Sequence, residues 1–515
     1  MNLVNRINIK DFGAVGDGVT DDSKAFQYAL NLAREEGAVD IYVPSGIYRW
    51  GSPIVLYSNS SITSAPQTVF LRGHNASMIQ NGTSSDNFTG YNGNGNITIN
   101  GGIFDCNLEE IDDDCSVFQL SHAENLNFIN LTIKDVFGGH AFDLSGVRNV
   151  VIDRCSFLGY RDFPDGSRNY SEAIQLDLQT SGGFPLFGEH DNTPTYDVTV
   201  SNCYFGQSGT NNTTSWPTCI GHHSSVHNKW VHTVYISNNI FENTVNSAIR
   251  LIKNNNVLIE NNTFNNCNSF IEMNISNNDV QSANSIAIKN NYFNGIVGEN
   301  NPITIIGNEF AQYKDIEISS NTFKNILGGS GAIYSNYSNG LKILYNRFFD
   351  CARAAWVLNS EDVMIANNSA DTCIYEMLYC QNIDNLYITS NIVNSSGRAG
   401  INLAGVKKSI VEANIARTTS AETTNLRSGI VLSTNCDDVL IKDNKISLSN
   451  NKYGLEVTGS CTNIQSLNNN VQGIEGPISI PVNSGFDGLV INSVNGTKYK
   501  MTIDDNGSPE FSQLI

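Results

Sequence analysis

The residues best suited to chemistry are concentrated between Gly138 and Lys253. Six of the eight histidines and two of the four tryptophans fall in this stretch: His140, His190, His222, His223, His227 and His232, with Trp216 and Trp230. Four short runs within it follow irregular segments rich in Gly, Asn and Asp. These runs are GHAFDL (139–144), YSEAIQLD (170–177), CIGHHSS (219–225) and AIRLIK (248–253). Each run begins a β-type pattern, so we expect each to place polar groups at one end of a strand.

Side chains alternate between the two faces of a strand, so stacking the four runs predicts which of their residues face outward together. Two outward columns result. The first holds Asp143, Gln175, Gly221 and Arg250. The second holds Asp177 and His223. Phe142, Ile174, Ile220 and Ile249 are then predicted to point inward.

This clustering of carboxylates, imidazoles and a guanidinium suits carbohydrate chemistry. Two carboxylates can flank a glycosidic bond, and a cation can hold an acidic or hydroxyl-rich sugar. The predicted catalytic residues are Glu172, Asp143, Asp177, His222 and His223. The predicted substrate-binding residues are Arg250, Lys253, His140, Gln175, Trp216, Trp230 and His190. For Trp216 and Trp230, packing in the core remains an alternative to stacking on sugar rings.

A short pattern recurs along most of the chain: alternating apolar residues, then Asn, then an aromatic or β-branched residue. Examples are YDVTVSNCYF (196–205), HTVYISNNIF (232–241) and NNVLIENNTF (255–264). Successive repeats end roughly 23 to 30 residues apart, a variable spacing typical of a parallel β-helix whose insertions go into loops. The sequence therefore predicts an all-β protein with one continuous core.

One asparagine in each repeat stands two places before the last residue. These are Asn239, Asn262, Asn291, Asn321, Asn346, Asn391 and Asn444. Stacking predicts a column of amides that hydrogen-bond from coil to coil, at a corner where Asn tolerates a left-handed backbone. The phenylalanines that end the repeats, from Phe241 to Phe348, are predicted to stack inside.

The composition of the chain argues against several classes of binding partner and bound group. The net charge of −20 argues against nucleic acid or an anionic membrane, because binding phosphates needs a basic stripe. No apolar run approaches the length of a membrane span. The eleven cysteines are scattered without a CxxC pair, which favours buried thiols over disulfides or a zinc site. We recognise no DxD calcium cluster of the kind that metal-dependent lyases use, and we predict neither a metal nor a cofactor.

The amino-terminal region resembles the opening of pectate-lyase-superfamily proteins. The resemblance rests on DFGAVGDG (11–18), the TDD that follows, an amphipathic pattern and IYVPSGIYRW (41–50). It implies a right-handed parallel β-helix, for which we expect about 12–14 coils over residues 1–475, with a capping helix at about 21–36. Residues 476–515 carry two Asn-Gly turn dipeptides and are predicted to form a small C-terminal β-hairpin cap.

The order of the four runs resembles the polygalacturonase family, whose coils carry NTD, DD, GHG and RIK motifs. Gly221-His222-His223 resembles GHG, and Arg250 to Lys253 resembles RIK with one residue inserted. Ser171-Glu172 lies where DD belongs, which implies that Glu172 is the general acid. His140 lies where NTD belongs and cannot replace a carboxylate, so Asp143 or Asp177 must supply the second one.

These observations predict a glycoside hydrolase of the tailspike-depolymerase type that cleaves a microbial cell-surface or extracellular polysaccharide. A polysaccharide lyase or epimerase is an alternative, in which a His or Lys abstracts a proton and Arg250 neutralises a uronate. A glycan-binding phage tail protein without catalytic activity is a second alternative. The gathering of Glu172, His222 and Arg250 on successive coils favours an enzyme, because a purely structural rod has no need of it.

The first residues show no apolar core of an export signal. We therefore expect a protein of the virion tail, released by lysis, or an extracellular one whose signal has been removed. Tailspikes of this fold are commonly homotrimers, so by resemblance a homotrimer is expected.

Overall fold

The computed structural model describes residues 6–275, 279–296, 300–479, 486–492, 497–503 and 506–513. The chain forms two compact units that divide between residues 276 and 277. In each unit, successive parallel strands stack on one another in three sheets, which we call faces 1, 2 and 3. The expected right-handed parallel β-helix is confirmed. The expectation of a single domain over residues 1–475 stays a prediction.

The N-terminal unit carries the predicted site on its face 1. Face 1 contains Ile54–Val55, Ile79–Gln80, Phe118–Ser121, Phe142–Ser145, Glu172–Asp177, Thr218–Gly221, Ser247–Ile252 and Ser269–Asn274. Face 2 contains Arg6–Asn8, Val39–Val43, Ser60–Ser64, Ile97–Asn100, Glu124–Ile129, Arg148–Asp153, Tyr196–Ser201, Val231–Ser237 and Asn254–Glu260. Face 3 contains Asp17–Asp21, Ile47–Trp50, Val69–Arg72, Ile103–Asp105, Thr132–Phe137, Ser156–Arg161, Tyr204–Gly206, Ile240–Glu242 and Thr263–Cys267.

The C-terminal unit repeats this arrangement, with two long strands that bend from face 1 into face 2. Faces 1 and 2 contain Ala283–Lys289, Ile303–Ile306, Tyr313–Ser319, Ile333–Asn336, Ser338–Leu344, Ala355–Ala366, Leu378–Thr389, Ile401–Ala404, Lys407–Glu412, Ile430–Ser433, Asp437–Lys442, Tyr453–Val457, Thr462–Leu467 and Gly476–Ser479. Face 3 contains Tyr292–Ile296, Thr322–Ile326, Arg347–Cys351, Ser369–Cys373, Ile392–Ser396, Ile415–Thr418, Lys445–Ile446 and Asn470–Val471.

The structure near the two ends of the chain agrees in part with the elements predicted from the sequence. Helix Ser23–Glu36 caps the N-terminal unit and buries Phe26 against Trp50 and Phe70, with ring centroids 5.3 and 5.7 Å away. Near the other end, Phe486–Asn492, Lys498–Ile503 and Pro509–Gln513 pair antiparallel, as predicted for hairpins. The predicted turn at Asn495-Gly496 lies outside the described residues.

The predicted columns of asparagine and phenylalanine are present within each unit. Phe205, Phe241 and Phe264 stack with centroid distances of 4.9 and 4.8 Å, and Phe293, Phe323 and Phe348 stack at 4.7 and 4.9 Å. All eleven cysteines are buried thiols, as predicted. Burial of these apolar side chains is the main stabilising contribution to such a core.

The left-handed corner is one residue earlier than predicted. The residues with positive φ are those that precede the ladder asparagines, such as Asn238 (φ 58°) and Asn261 (φ 56°). The ladder asparagines themselves are buried. The Oδ1 of Asn262, for example, accepts hydrogen bonds from the backbone N and the Nδ2 of Asn239, the preceding ladder member. The amide is therefore used for its two-sided hydrogen bonding rather than for its backbone conformation.

Replacing Asn391 by Ala should destabilise the C-terminal unit by about 1–3 kcal/mol, the cost of an unpaired buried backbone donor. Asn391 Oδ1 accepts from Asn368 N at 3.0 Å, and its Nδ2 donates to Ile365 O at 2.8 Å and to Asn414 Oδ1 at 3.0 Å. Urea denaturation measures the change. Asn394→Ala, at an exposed position of the next strand, is the matched control and should change stability by under about 0.5 kcal/mol.

Candidate active site

Four neighbouring strands of face 1 carry the site: β1 (Phe142–Ser145), β2 (Glu172–Asp177), β3 (Thr218–Gly221) and β4 (Ser247–Ile252). They pair in parallel in chain order. The register aligns Asp143 with Gln175, Gln175 with Gly221, and Gly221 with Arg250. This is the first column expected from strand alternation, and its inward neighbours Phe142, Ile174, Ile220 and Ile249 are buried.

Gly221 keeps the centre of this column open. A Cβ at this position would lie 2.6 Å from the carbonyl oxygen of Arg250 and 3.2 Å from Cγ of Glu172. A larger residue would therefore have to displace the backbone of β4. The close approach explains why a glycine stands between Gln175 and Arg250.

Glu172 begins β2 and is 1% exposed. Its Oε2 lies 3.8 Å from Nδ1 of His140, and its Oε1 lies 3.7 Å from Nδ1 of His223. Oε1 is buried without a hydrogen-bond partner among the described residues. Burial alone raises the pKa of Glu172, but His223, His140 and Arg250 together outweigh burial and lower the pKa below its usual value. The carboxylate is therefore held ionised with one oxygen available.

His223 lies between two carboxylates. Its Nδ1 faces Glu172, and its Nε2 lies 3.5 Å from Oδ2 of Asp177. The contact with Glu172 is the main cause that raises the pKa of His223 to about 9, with partial burial opposing it and Asp177 adding to it. His223 is therefore an imidazolium at neutral pH, which stabilises the ionised form of Glu172.

The His223 contacts predict a pH-dependent stability. Because the pKa of His223 is raised from 6.5 to about 9 on folding, its stabilising contribution is complete below about pH 6.5 and disappears as the pH rises through about 9. Urea denaturation of His223→Gln should show its largest loss of stability at pH 6 and approach the unsubstituted protein above pH 9. A loss that is constant across this range would contradict the assignment.

Asp177 has a positioning role in this arrangement. Its Oδ1 accepts from the backbone N of His223 at 3.3 Å, the backbone N of Ser224 at 3.1 Å and the Ser224 hydroxyl at 2.8 Å. Its Oδ2 accepts from Gln175 Nε2 at 3.2 Å. Asp177 is completely buried. It therefore fixes the segment that presents His223 and leaves little capacity to bind substrate.

Asp143 is the second carboxylate that reaches a cavity. Gln175 Nε2 donates to its Oδ1 at 3.2 Å. Burial, reinforced by the negative charge of Asp177, raises the pKa of Asp143 well above its usual value. The surroundings of Asp143 thus favour its protonated form, and those of Glu172 favour its ionised form.

Two adjoining cavities open at these residues. One of about 310 Å³ is lined by Asp143, Gln175, Gln119 and Phe163, and one of about 210 Å³ by Glu172, Arg250, Tyr170 and Ser171. His140, Arg168 and His223 line both. The two carboxylates, whose pKa values are shifted in opposite directions, thus belong to one cleft that also contains Arg168 and His223. Larger cavities, of about 560 and 410 Å³, lie at other places where no such pair is present among their lining residues.

The structure brings His140, Asp143, Glu172, Gln175, His223 and Arg250 to this cleft. The other six predicted residues do not line it, and one of them, Asp177, is the buried positioning residue described above. His222 is 1% exposed and bonds to Asn254 Oδ1 at 2.5 Å, because it occupies the inward position of the alternation. Trp216 is fully buried against Tyr160, with ring centroids 5.1 Å apart. The core-packing alternative holds for this tryptophan.

The remaining three predicted residues contact segments outside the cleft. Lys253 Nζ donates to Val226 O at 3.3 Å and lies 5.1 Å from the ring centroid of Trp230. His190 Nε2 lies 3.2 Å from Phe184 O. None of the three lines either cavity of the cleft.

Arg168 and Tyr170 are cleft residues that the sequence motifs do not single out. Arg168 Nε donates to Gly138 O at 2.6 Å, and its Nη2 lies 3.1 Å from Nε2 of His140. The guanidinium of Arg250 lies 5.2 Å from the ring centroid of Tyr170. Both residues belong to the irregular segment between Arg161 and Glu172, where the only signal is an insertion long enough to wall a cleft.

The part of the chain that the structure describes contains neither a cluster suited to a metal ion nor a membrane-spanning helix. It contains no group of three or more His, Cys, Asp or Glu side chains placed to hold a metal ion. Its one α-helix, Ser23–Glu36, is too short and too polar to cross a membrane.

Two family models match the sequence. Residues 6–158 match a family described as rhamnogalacturonase A/epimerase, pectate lyase-like, and residues 311–471 match a family described as right-handed β-helix region. Over these two stretches the chain resembles pectate-lyase-like and right-handed β-helix proteins, in agreement with its right-handed parallel β-helix fold. The resemblance predicted from the amino-terminal motif is thereby confirmed.

The individual proteins that the chain is similar to have names that indicate different functions. The chain is 30% identical over 285 residues to the plasmin and fibronectin-binding protein A of Streptococcus pneumoniae, covering 50% of this chain and 39% of that protein. By structure it is similar to the tailspike protein of Escherichia coli bacteriophage HK620, solved with a pentasaccharide (TM-score 0.54, 15% identity, 97% of this chain and 84% of that one). It is also similar to a family 28 exopolygalacturonase of Yersinia enterocolitica (TM-score 0.50, 15% identity, 76% and 75%). At these identities, the structural likeness establishes the fold alone.

Proposed function

We propose that this protein is a glycoside hydrolase that cleaves a microbial cell-surface or extracellular polysaccharide in the cleft on β1 to β4. The observation that carries the proposal is the pair of buried carboxylates in one cleft whose environments move their pKa values in opposite directions. Such a divergence assigns the acid and the base in carboxylate glycosidases. The named relatives include a polygalacturonase and a tailspike solved with a pentasaccharide, which fits this class of substrate.

The surroundings of the two carboxylates support acid and base roles opposite to those expected from the sequence. Asp143, with the raised pKa, is the proposed general acid and donates its proton to the glycosidic oxygen as the bond to the anomeric carbon breaks. Glu172, with the lowered pKa, is the proposed base and accepts a proton from the water that attacks this carbon. Water is thus added across the bond. His223 and Asp177 act by positioning and by holding Glu172 ionised.

Arg168 and Arg250 define the proposed substrate class. Both guanidinium groups lie at the cleft, and a guanidinium forms strong charge-assisted hydrogen bonds with a carboxylate. A sugar unit that carries a carboxylate is therefore the proposed occupant beside Glu172. The rings of Phe163 and Tyr170 supply apolar contact on the walls of the cleft.

A lyase or epimerase differs from a hydrolase in needing an unprotonated side chain that abstracts a proton from carbon, a role for which the sequence suggests a His or Lys. His223 does not suit this role at neutral pH, because its pKa is raised to about 9. Burial lowers the pKa of His140, but its Nδ1 lies 2.8 Å from Glu172 O and its Nε2 faces Arg168. Both nitrogens are thus engaged, which favours hydrolysis.

The proposal is tested by incubating the purified protein with acidic and neutral bacterial polysaccharides and analysing the products. New reducing ends without ultraviolet absorbance support hydrolysis. Absorbance from a new carbon–carbon double bond supports a lyase, and altered sugar configuration in an uncleaved polymer supports an epimerase. Binding with no chemical change at any pH would favour the glycan-binding alternative.

We further propose that the protein acts at a virion tail or outside a cell, as a homotrimer. The tailspike and the streptococcal binding protein among its relatives support this setting. Light scattering should give a mass about three times the 56.3 kDa of one chain and independent of dilution. A mass of one chain would overturn the trimer.

A further inference from the structure

A row of aromatic side chains follows face 1 of the C-terminal unit. Tyr334, Trp356 and Tyr379 occupy the same position on three consecutive strands, where the register pairs Tyr334 with Trp356 and Trp356 with Tyr379. All three are half-buried. Their rings meet edge to face, with centroids 5.9 Å apart at 90° and 5.5 Å apart at 74°. We call these three residues the aromatic row.

Charged groups around the aromatic row are already neutralised. The Arg353 guanidinium lies 4.9 Å from the ring of Trp356 and 5.7 Å from the ring of Tyr379, and its Nη2 bonds to Glu376 at 2.7 Å. Beside it, Arg398 pairs with Glu422 at 3.5 Å. Each cation of the cluster thus has a carboxylate partner, so the surface favours a neutral ligand.

Polar groups continue the aromatic row. Asn402 follows Tyr379 in the register. Trp356 Nε1 and Asn402 Oδ1 are buried and have no hydrogen-bond partner in the described ranges of the chain, so the column contains one donor and one acceptor that the fold leaves unpaired beneath the surface. Tyr379 also lines the cavity of about 560 Å³, whose other walls include Gln381, Asn382 and Thr434 together with one anion and one cation, Asp384 and Lys407.

We propose that the aromatic row and this cavity bind a neutral, hydroxyl-rich glycan chain, independently of the catalytic cleft. Aromatic faces contact the C–H surface of a sugar ring, and the amides and hydroxyls of the cavity accept and donate hydrogen bonds to its hydroxyl groups. Rings on successive strands repeat along the row, which suits a chain of linked sugars rather than a single one. The aromatic row and the cavity bind the polymer and take no part in catalysis.

The experiment uses the full chain carrying Glu172→Gln, so that cleavage does not alter the glycan. Binding is measured on an array of neutral glycans and by native electrophoresis in gels that contain dextran, galactomannan or polygalacturonate. Trp356→Ala and Tyr379→Ala should each weaken binding to a neutral glycan about ten-fold. Trp356→Phe, which keeps an aromatic ring, should lose less affinity for the neutral glycan than Trp356→Ala. Phe349→Ala, which removes an exposed ring on face 3, should bind the glycan as tightly as the parent does.

Thermal unfolding shows that each variant is folded before binding is compared. Two outcomes would overturn the proposal: no neutral glycan binds the parent, or the Trp356→Ala and Tyr379→Ala variants bind it as tightly as the Phe349→Ala control. Selective loss of polygalacturonate binding in these two variants would also overturn it, because that result would make the row a site for acidic sugars. A loss of neutral-glycan binding confined to the two variants supports it.

Discussion

Glu172→Gln is expected to lower the rate of polysaccharide cleavage between about 10² and 10⁴-fold, the contribution typical of a positioned acid or base. Gln preserves the shape of the side chain but cannot accept a proton from water. Affinity for the polysaccharide should change little, because Arg168 and Arg250 remain at the cleft. The release of reducing ends at saturating polysaccharide measures the effect.

Glu317→Gln is the matched control for this substitution. Glu317 lies in the C-terminal unit, where its Oε1 is 3.2 Å from Nζ of Lys289, and it lines neither cavity of the cleft. Its replacement should leave the rate unchanged. If Glu172→Gln retained the full rate while Glu317→Gln behaved as expected, Glu172 would have no catalytic role.

Asp143→Asn is expected to produce a comparable loss and also to change the shape of the pH profile. Activity requires Glu172 to be ionised and Asp143 to be protonated. Since the pKa of Glu172 is lowered, kcat/KM should rise with pH at low pH. Since the pKa of Asp143 is raised, kcat/KM should fall at higher pH. The amide introduced by this substitution cannot ionise, so the descending limb should be absent from the residual activity.

Asp197→Asn is the control for this second prediction. Asp197 is exposed on strand Tyr196–Ser201 and has a φ of 56°, a conformation that Asn adopts readily. Both the ascending and the descending limb of the pH profile of kcat/KM should remain in Asp197→Asn. A descending limb that survives in Asp143→Asn would show that another group, such as His223, causes it.

The column of Asp143, Gln175, Gly221 and Arg250 could be predicted because strand alternation is strict and neighbouring coils stack in register. The same alternation should have directed attention to His223 rather than His222, since adjacent residues face opposite sides. The motif resemblance instead drew both histidines into the prediction. For the two histidines, periodicity gave the correct side. Glu172, which alternation places on the same side as Ile174, was instead found by the motif resemblance.

The loop residues and the protonation states were beyond sequence reasoning. Arg168 lies in an irregular segment without periodicity, so nothing in its spacing relates it to His140. The general-acid role was assigned to Glu172 by resemblance alone. Its lowered pKa depends on His223, which is 51 positions away in the chain and reaches Glu172 only after coiling.

The repeats of the core were predicted well where they end in a large side chain. Asn368 and Asn414 continue the ladder but were missed, because their repeats end in Ala370 and Ala416 instead of an aromatic or β-branched residue. Both asparagines make the same hydrogen bonds as their neighbours. The amide is thus a more constant feature of the corner than the side chain that packs below it.

The central claim is that the cleft hydrolyses a glycosidic bond with Glu172 as a base, and product analysis tests it most directly. The purified chain and its Glu172→Gln variant are incubated with the same polysaccharide in water enriched in oxygen-18, and the products are examined by mass spectrometry. Hydrolysis predicts oligosaccharides with one heavy oxygen at each new reducing end, formed by the unsubstituted chain and nearly absent with the variant. Unsaturated products without heavy oxygen, or equal product from the two proteins, would contradict it.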